Sequence, residues 1–195
     1  MSVEFYEKNH QEFIKDTIHV DMSELYQPFC QMLPMGAKIL DAGCGSGRDT
    51  QFFIAAGFEV VAIDASSKMV EATRKLTGAD CRQMSFEDLS LENDFDAIWA
   101  CASLLHVKRK NLVLVLNDLT KVLLPSGVFY VSFKFGSHER QNDLRYFNDM
   151  TPELMEMTLA DVPDLTISRM WITSDARPMR ESEKWLNYIL LKEAT

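Results

Sequence analysis

Short apolar runs alternate with longer stretches of helical periodicity along the first two thirds of the chain. Each run is flanked by turn-forming residues and is too short for a helix, so it predicts a buried strand. The fifth run, residues 128–135, is apolar almost throughout, as is typical of a strand covered on both faces. Strands that alternate with helices predict an α/β fold built on a parallel sheet. The predicted strands are residues 39–40, 60–63, 81–84, 94–100 and 128–135, and the helices between them are residues 48–56, 66–77 and 110–124.

Both ends of the chain add elements to this alternating core. Tyr6 and Phe13 fall on one face of a helix predicted over residues 4–18. After the fifth strand the chain is first polar and then returns to regular structure, starting at a Thr-Pro pair typical of a helix start. The remaining predictions are helices over residues 21–33 and 151–161, a turn-like stretch over 136–150, and strands over 165–173 and 185–191.

The most informative stretch is residues 38–50, KILDAGCGSGRDT, which joins the first strand to the next helix. Gly43, Gly45 and Gly47 occupy alternate positions in it. Glycine allows positive φ angles and lets a ligand approach the backbone closely. The free N–H groups at the start of the helix then favour a polar or anionic group. The stretch therefore predicts a ligand-binding loop at the carboxyl end of the first strand.

A carboxylate ends the second strand at the position that supports this interpretation. Asp64 follows Gly47 by 17 residues, about where doubly wound folds place the acid that binds a ribose diol. A dinucleotide fingerprint also needs glycine at the sixth place counted from Gly43, and that place holds Arg48. An NAD-linked oxidoreductase is therefore disfavoured.

The glycine loop behind Leu-Asp-Ala, with the acid at the second strand end, resembles the class I S-adenosylmethionine (SAM) methyltransferases. The resemblance extends over residues 38 to about 135. It implies one domain over residues 1–195, with a Rossmann-like doubly wound sheet of seven strands in the order 3-2-1-4-5-7-6 and strand 7 antiparallel. The N-terminal helices, residues 1–35, would then serve as a lid or pack on the domain. SAM would be the cofactor and S-adenosylhomocysteine the product.

The resemblance also implies a set of residues around the cofactor. Asp41 is expected to accept hydrogen bonds from the loop amides, near the methionine end. Met69 is expected to pack on the adenine, and the Phe86 N–H to meet an adenine nitrogen. Ser85 stands where many relatives have an aspartate that binds the adenine amino group. The predicted cofactor residues are Asp41, Gly43, Gly45, Gly47, Asp64, Ala65, Met69, Ser85, Phe86 and Ala100.

Charge and composition narrow the range of partners and compartments. Twenty basic against 29 acidic residues give a net charge of −9, which argues against duplex nucleic acid as a partner. No segment reaches the roughly 20 apolar residues of a membrane span. The polar start MSVEFYEKNH is not typical of a signal peptide, and the four cysteines form no CxxC pair. These features predict a reduced, cytoplasmic protein without a bound metal, and leave its oligomeric state open.

Two titratable side chains are candidates for catalysis. His106 follows the fourth strand, where the acceptor would lie, although a histidine among leucines is more often structural. Tyr6 would reach the pocket if the first helix closes over it. A base is needed only if the acceptor must lose a proton during transfer.

Cations gather after strands five and six, at the rim of the expected crevice. The arginine fork suits carboxylates and oxyanions, so these cations predict a clamp for a small anionic acceptor. The alternative is ordinary surface charge paired with Glu181, Glu183 and Asp143. The predicted substrate residues are Arg145, Arg177, Arg180 and Trp185.

The implied function is transfer of a methyl group from SAM to a small acceptor such as a carboxylate, thiolate or chalcogen oxyanion. The segment GCGSGRD is similar to the tellurite-resistance and small-molecule branch of the superfamily, on fewer residues. The alternative from another class is a SAM-binding module without catalysis, acting as a sensor or partner. A working acceptor pocket distinguishes the two.

Overall fold

A sheet of seven strands forms the centre of this computed structural model, which describes residues 2–92, 94–142 and 144–194. The strand order is β3-β2-β1-β4-β5-β9-β8, and β9 runs antiparallel to both of its neighbours. Counting only the strands of this sheet, the order is the predicted 3-2-1-4-5-7-6, so the fold prediction is confirmed. The strands are β1 Lys38–Ala42, β2 Glu59–Asp64, β3 Asp80–Gln83, β4 Phe95–Ala100, β5 Leu123–Lys134, β8 Leu165–Ser174 and β9 Lys184–Lys192.

Among the described residues, six α-helices lie around the sheet, close to the predicted positions. The Ser66 hydroxyl caps α4 by accepting from the Met69 amide, and the Thr151 hydroxyl caps α6 by accepting from the Leu154 amide. The helices are α1 Ser2–Thr17, α2 Ser23–Cys30, α3 Arg48–Ala55, α4 Ser67–Thr77, α5 Arg109–Val122 and α6 Pro152–Leu159.

Two apolar layers form the core, one on each face of the sheet. Side chains alternate across a strand, so neighbouring residues of β4 serve different layers. Trp99 faces the layer with α2 and α3 and stacks on Tyr130 with ring centroids 3.9 Å apart. Ile98 faces the layer with α5. Since both faces are covered, the central strands carry the continuous apolar runs seen in the sequence.

The junction of α5 and β5 differs from the prediction. The helix ends at Val122 rather than at residue 124, and Leu123 already pairs with Phe95 of β4. Pro125 disfavours helical conformation in the residue before it, and so the helix ends early. The ladder shifts register between Leu123 and Val128, where Ser126 has a φ of +62°.

The stretch predicted to be turn-like contains a hairpin instead. Strand β6, Glu139–Asn142, pairs antiparallel with β7, Arg145–Asn148. The sequences of these strands lack the alternating apolar pattern that would predict them. They are held by polar contacts, with the Arg140 guanidinium 4.6 Å from the Phe147 ring centroid and two bonds from Arg140 to Asp149, of 2.9 and 3.0 Å. The hairpin follows β5 and lies at the carboxyl end of the sheet.

Candidate functional site

A cavity of about 1,420 Å³ opens at the carboxyl ends of the parallel strands. This is larger than the roughly 300–1,000 Å³ typical of a single small-molecule site, so it has room for two ligands. The glycine loop and the end of β2 form one part of its wall, and the hairpin and the segment from β8 to β9 form another. Helix α1 closes it from above. The predicted site residues that line it are Tyr6, Gly43, Gly45, Asp64, Ala65, Ser85, Phe86, His106, Arg145, Arg177, Arg180 and Trp185.

Positive φ angles make the loop dependent on glycine. Gly43, Gly45 and Gly47 have φ of +95°, +52° and +81°. A Cβ on Gly43 would lie 2.4 Å from the Ser103 Cβ, and one on Gly47 would lie 3.0 Å from the Thr73 hydroxyl. Gly45 faces the cavity and the Phe13 ring of α1, 3.4 Å from its hypothetical Cβ. Gly47 therefore serves packing on α4, whereas Gly45 presents bare backbone to the cavity.

The Asp64 carboxylate lies at the end of β2 on the cavity wall. Its Oδ2 accepts from the Gly45 amide at 3.0 Å and its Oδ1 from the Ser66 amide at 2.8 Å. Burial raises its pKa above the usual aspartate value. Each oxygen keeps a second acceptor position, because a carboxylate has about four lone-pair sites. Asp64 is thus fixed from behind and able to accept from a ligand hydroxyl.

Asp41 has a different role from the one predicted. The loop amides donate elsewhere: that of Gly43 to the Ile63 carbonyl, and that of Gly45 to Asp64. Asp41 instead accepts a 2.5 Å bond from the Thr50 hydroxyl and is buried beneath the cavity wall. Burial and the charge of nearby Asp49 raise its pKa.

Two further predicted cofactor residues do not reach the cavity. Met69 and Ala100 are fully buried in the core, so neither side chain contacts a ligand there. Ser85 and Phe86 do line the cavity. The Ser85 hydroxyl donates to Asp88 at 2.9 Å and so keeps its lone pairs for a ligand donor.

A buried ionic cluster lies beneath the glycine loop. The Arg48 guanidinium binds the Asp49 carboxylate through two bonds of 2.6 and 3.0 Å. The Asp49 carboxylate also accepts from the Tyr26 hydroxyl at 2.5 Å and the Trp99 indole at 2.8 Å. Burial opposes ionisation of Asp49, but Arg48 and these donors outweigh it and lower its pKa. Arg48 is the neighbour of Asp49 in the chain, whereas Tyr26 and Trp99 are brought to Asp49 only by the fold.

Helix α1 is held over the cavity by polar bonds to three elements. The Tyr6 hydroxyl lies 2.7 Å from His106 Nε2 in the short helix Leu104–His106. The Glu7 carboxylate accepts from the Ser66 hydroxyl at 2.9 Å, at the start of α4. The Ser2 hydroxyl accepts from the Tyr146 amide of the hairpin at 3.1 Å. The helix therefore covers the cavity, and its action as a lid stays a prediction.

The surroundings of His106 define its protonation. Nδ1 lies 2.7 Å from the Tyr146 carbonyl, which can only accept, so Nδ1 carries the proton. Nε2 then carries no proton, and its lone pair accepts a hydrogen bond from the Tyr6 hydroxyl. Burial lowers the pKa of His106 to about 4. At neutral pH it is an uncharged imidazole whose acceptor nitrogen faces the first helix.

The stability of the fold should depend on pH through this histidine. A folded-state pKa of about 4, below the unfolded value of about 6.5, means that the unfolded state binds more protons in between. The wild-type free energy of unfolding should therefore fall by about 1–2 kcal/mol from pH 7 to pH 5 because of His106. His106→Gln, which cannot titrate, should lack that part of the fall in urea titrations. The matched control is His138→Gln, at an exposed side chain, and equal pH slopes in His106→Gln and wild type would contradict the assignment.

Most of the rim cations already have carboxylate partners. Arg177 makes two bonds to Asp175, of 2.9 and 2.6 Å, and the Trp185 indole donates to the same carboxylate at 3.1 Å. Burial opposes ionisation of Asp175, but Arg177 lowers its pKa to about 2. Arg180 lies 4.0 Å from Glu183. The pairing interpretation thus fits these arginines better than a free clamp, with Asp175 as an unpredicted partner.

Three further sequence expectations concern the partners of the rim cations, metal binding and membrane spans. Asp143, one of the proposed partners, lies outside the described residues. Lys134, also at the rim, pairs with Glu183. Within the described ranges no three His, Cys, Asp or Glu side chains are arranged to hold a metal ion. No helix among them is long and apolar enough to cross a bilayer.

Comparison with known proteins agrees with this geometry. Residues 39–127 match a family model described as a methyltransferase domain. A malonyl-[acyl-carrier protein] O-methyltransferase of Erwinia billingiae is 37% identical over 98 residues, covering 47% of this chain and 37% of that protein. The chain spans less than half the length of the O-methyltransferases that it matches.

Solved structures share the whole fold at low identity. A SAM-dependent methyltransferase from Methanosarcina mazei has a TM-score of 0.77 at 18% identity, covering 88% of this chain and 99% of its own. The Burkholderia thailandensis 1,6-didemethyltoxoflavin-N1-methyltransferase, solved with its substrate and S-adenosylhomocysteine, has a TM-score of 0.74 at 20% identity, covering 98% and 85%. Residues 39–127 therefore match a methyltransferase domain, and the sheet order and the glycine loop followed by Asp64 are similar to those of the class I SAM-dependent methyltransferases.

Proposed function

We propose that the protein transfers a methyl group from SAM to a small anionic acceptor and releases S-adenosylhomocysteine. The observation that carries this proposal is the continuity of the cavity. One space joins the glycine loop and Asp64 to a rim that bears arginines, under the cover of α1. A cofactor and a second small molecule would therefore meet inside a single enclosure.

The residues at the loop fit the cofactor of this family. Gly45 offers a cradle that a side chain would obstruct, and Asp64 offers acceptor positions for a ribose diol. Ser85 and Phe86 offer polar and apolar surface for an adenine. Bound SAM would supply a methyl group already activated by its sulfonium.

The chain's own contribution is placement and exclusion of water. Holding the acceptor atom close to the methyl and in line supplies a large share of the rate by proximity. Helix α1 covers the site through Tyr6 and Glu7, which limits the entry of water. For an acceptor that carries a proton, Tyr6 and His106 offer a hydrogen-bonded pair at the cavity wall, in which the lowered pKa makes His106 a weak base.

The acceptor's identity is open to a direct search. The full chain should be incubated with SAM and separate pools of small carboxylates, thiols, phosphates, chalcogen oxyanions and neutral compounds, and S-adenosylhomocysteine should be measured by mass spectrometry. Product formation that depends on one pool supports the proposal, and a productive neutral pool would contradict the anionic part of it. SAM binding without product in any pool, together with binding to a protein partner, would favour the non-catalytic module. Similarity to the tellurite-resistance branch remains a prediction that the oxyanion pool tests.

A further inference from the structure

Of the residues that the structure describes, five arginines line the cavity, and they differ in how their charge is balanced. Four of them lie within 4.0 Å of a carboxylate: Arg48, Arg140, Arg177 and Arg180. Arg145 has no such partner among residues 2–92, 94–142 and 144–194. A guanidinium without a carboxylate at a ligand cavity is available to an anion from outside the protein.

The immediate surroundings of Arg145 are aromatic. Its guanidinium carbon lies 4.1 Å from the Phe5 ring centroid and 5.3 Å from that of Phe147. Such rings stabilise the cation through its faces but cannot accept its in-plane N–H bonds. The Nε of Arg145 is buried and has no hydrogen-bond partner in the described structure. An unpaired buried donor of this kind costs free energy that a ligand oxygen would recover.

The other rim cations are poorer candidates for binding an anion. An anion at Arg177 would have to displace Asp175, which is held by two guanidinium bonds and a bond from Trp185. Lys184 lies at the rim as an exposed side chain, where water screens its charge. The Tyr6 hydroxyl also interacts with the Arg145 guanidinium through a side-chain hydrogen bond. Arg145 still combines partial burial, an unpartnered Nε, no carboxylate within 4.0 Å among the described residues, and a position on the cavity wall.

We propose that Arg145 is the anchor for the anionic group of the methyl acceptor, a carboxylate or similar oxyanion that its in-plane donors can bind. This rests on the proposed function and names the residue that recognises the substrate. The guanidinium fork matches two oxygens of one carboxylate, which gives orientation as well as affinity. Because Phe5 belongs to α1 and Phe147 to β7, the anchor lies where the covering helix meets the hairpin. Binding of the acceptor should therefore also favour the covered position of α1.

The experiment uses the full chain saturated with S-adenosylhomocysteine and three probe anions: benzoate, malonate and inorganic phosphate. Each is titrated at constant ionic strength, balanced with chloride, and followed by calorimetry and by melting temperature. Wild type should bind at least one probe saturably. Comparison of benzoate and malonate with inorganic phosphate shows whether the site prefers a carboxylate or a phosphate. Arg145→Gln should bind that probe at least tenfold more weakly. Arg145→Lys, which keeps the charge but not the fork, should fall between them.

Two matched variants locate the effect. Arg169→Gln removes an exposed arginine of β8 whose guanidinium lies over the Trp171 ring, away from the cavity, and should bind the probe as wild type does. Arg177→Gln tests the competing rim position and should keep most of the affinity. Equal probe affinity in Arg145→Gln and wild type, loss confined to Arg177→Gln, or absence of saturable binding in wild type would overturn the proposal.

The affinity for S-adenosylhomocysteine, measured in the same variants, separates this inference from the proposed function. Arg145→Gln should keep that affinity, which also shows that it is folded. If wild type binds S-adenosylhomocysteine but Arg145 has no effect on anions, only the anchor is wrong. If wild type does not bind S-adenosylhomocysteine, the proposed function itself fails.

Discussion

Asp64→Ala should weaken SAM binding by about 2–4 kcal/mol, roughly a 30- to 900-fold loss of affinity. The carboxylate is positioned by the Gly45 and Ser66 amides and aims its remaining lone pairs at the cavity. The substitution removes a charged acceptor for the ribose hydroxyls. It also leaves two amides without a partner at the cavity wall, so the loop itself loses support.

Isothermal titration calorimetry checks this loss, with Asp80→Ala as the matched control. Asp80 is an exposed aspartate of β3, paired with Arg82 at 2.6 Å, and it does not line the cavity. Its variant should bind SAM as wild type does. Wild-type SAM affinity in Asp64→Ala would mean that the end of β2 does not bind the cofactor.

Asp49→Ala should lower the free energy of unfolding by about 3–5 kcal/mol. Its carboxylate is 7% exposed and balances the Arg48 guanidinium at 2.6 Å. Removing it leaves the largely buried Arg48 guanidinium, whose side chain is 18% exposed, without a counter-charge, and losing one partner of such a pair costs more than the pair itself contributes. The Tyr26 hydroxyl and the Trp99 indole would lose their acceptor in the same step.

Urea denaturation at neutral pH measures this cost. The matched control is Asp118→Ala, which removes a surface pair with Lys121 at 2.7 Å and should cost less than about 1 kcal/mol. Losses of similar size in the two variants would show that the cluster beneath the loop is not a source of stability.

Local signals explain the parts of the fold that were predicted from the sequence. Buried parallel strands must be apolar on both faces, so β1, β2 and β4 appear as apolar runs. Glycines with positive φ mark the loop between β1 and α3, and Ser66 and Thr151 mark two helix starts. Family resemblance then supplied the strand order, which the topology confirms.

The unpredicted parts depend on contacts between distant segments. Asp49 meets Tyr26, 23 positions away, and Trp99, 50 positions away. Tyr6 and His106 are 100 positions apart, and only the fold shows that they share a hydrogen bond. The sequence likewise does not show which charged side chains pair. It therefore could not predict which rim cations have a carboxylate partner and which could bind an anion.

The hairpin β6–β7 was not predicted from the sequence, for a related reason. Its strands are mostly polar, and polar contacts with α1 and with Asp149 stabilise them together with one buried aromatic side chain, Phe147. Period-two patterns detect half-buried strands and miss ribbons of this kind. This hairpin is important for the site because it positions Arg145 at the cavity.

Calorimetric titration of SAM into the full chain, with NAD as the comparison ligand, tests the central claim most directly. The glycine loop and Asp64 predict saturable binding of SAM at one site per chain, with a rise in melting temperature because the ligand binds only the folded state. NAD should produce neither effect, since Arg48 occupies the place of the third glycine of a dinucleotide site. Saturable binding of NAD without binding of SAM would contradict the assignment of the cavity.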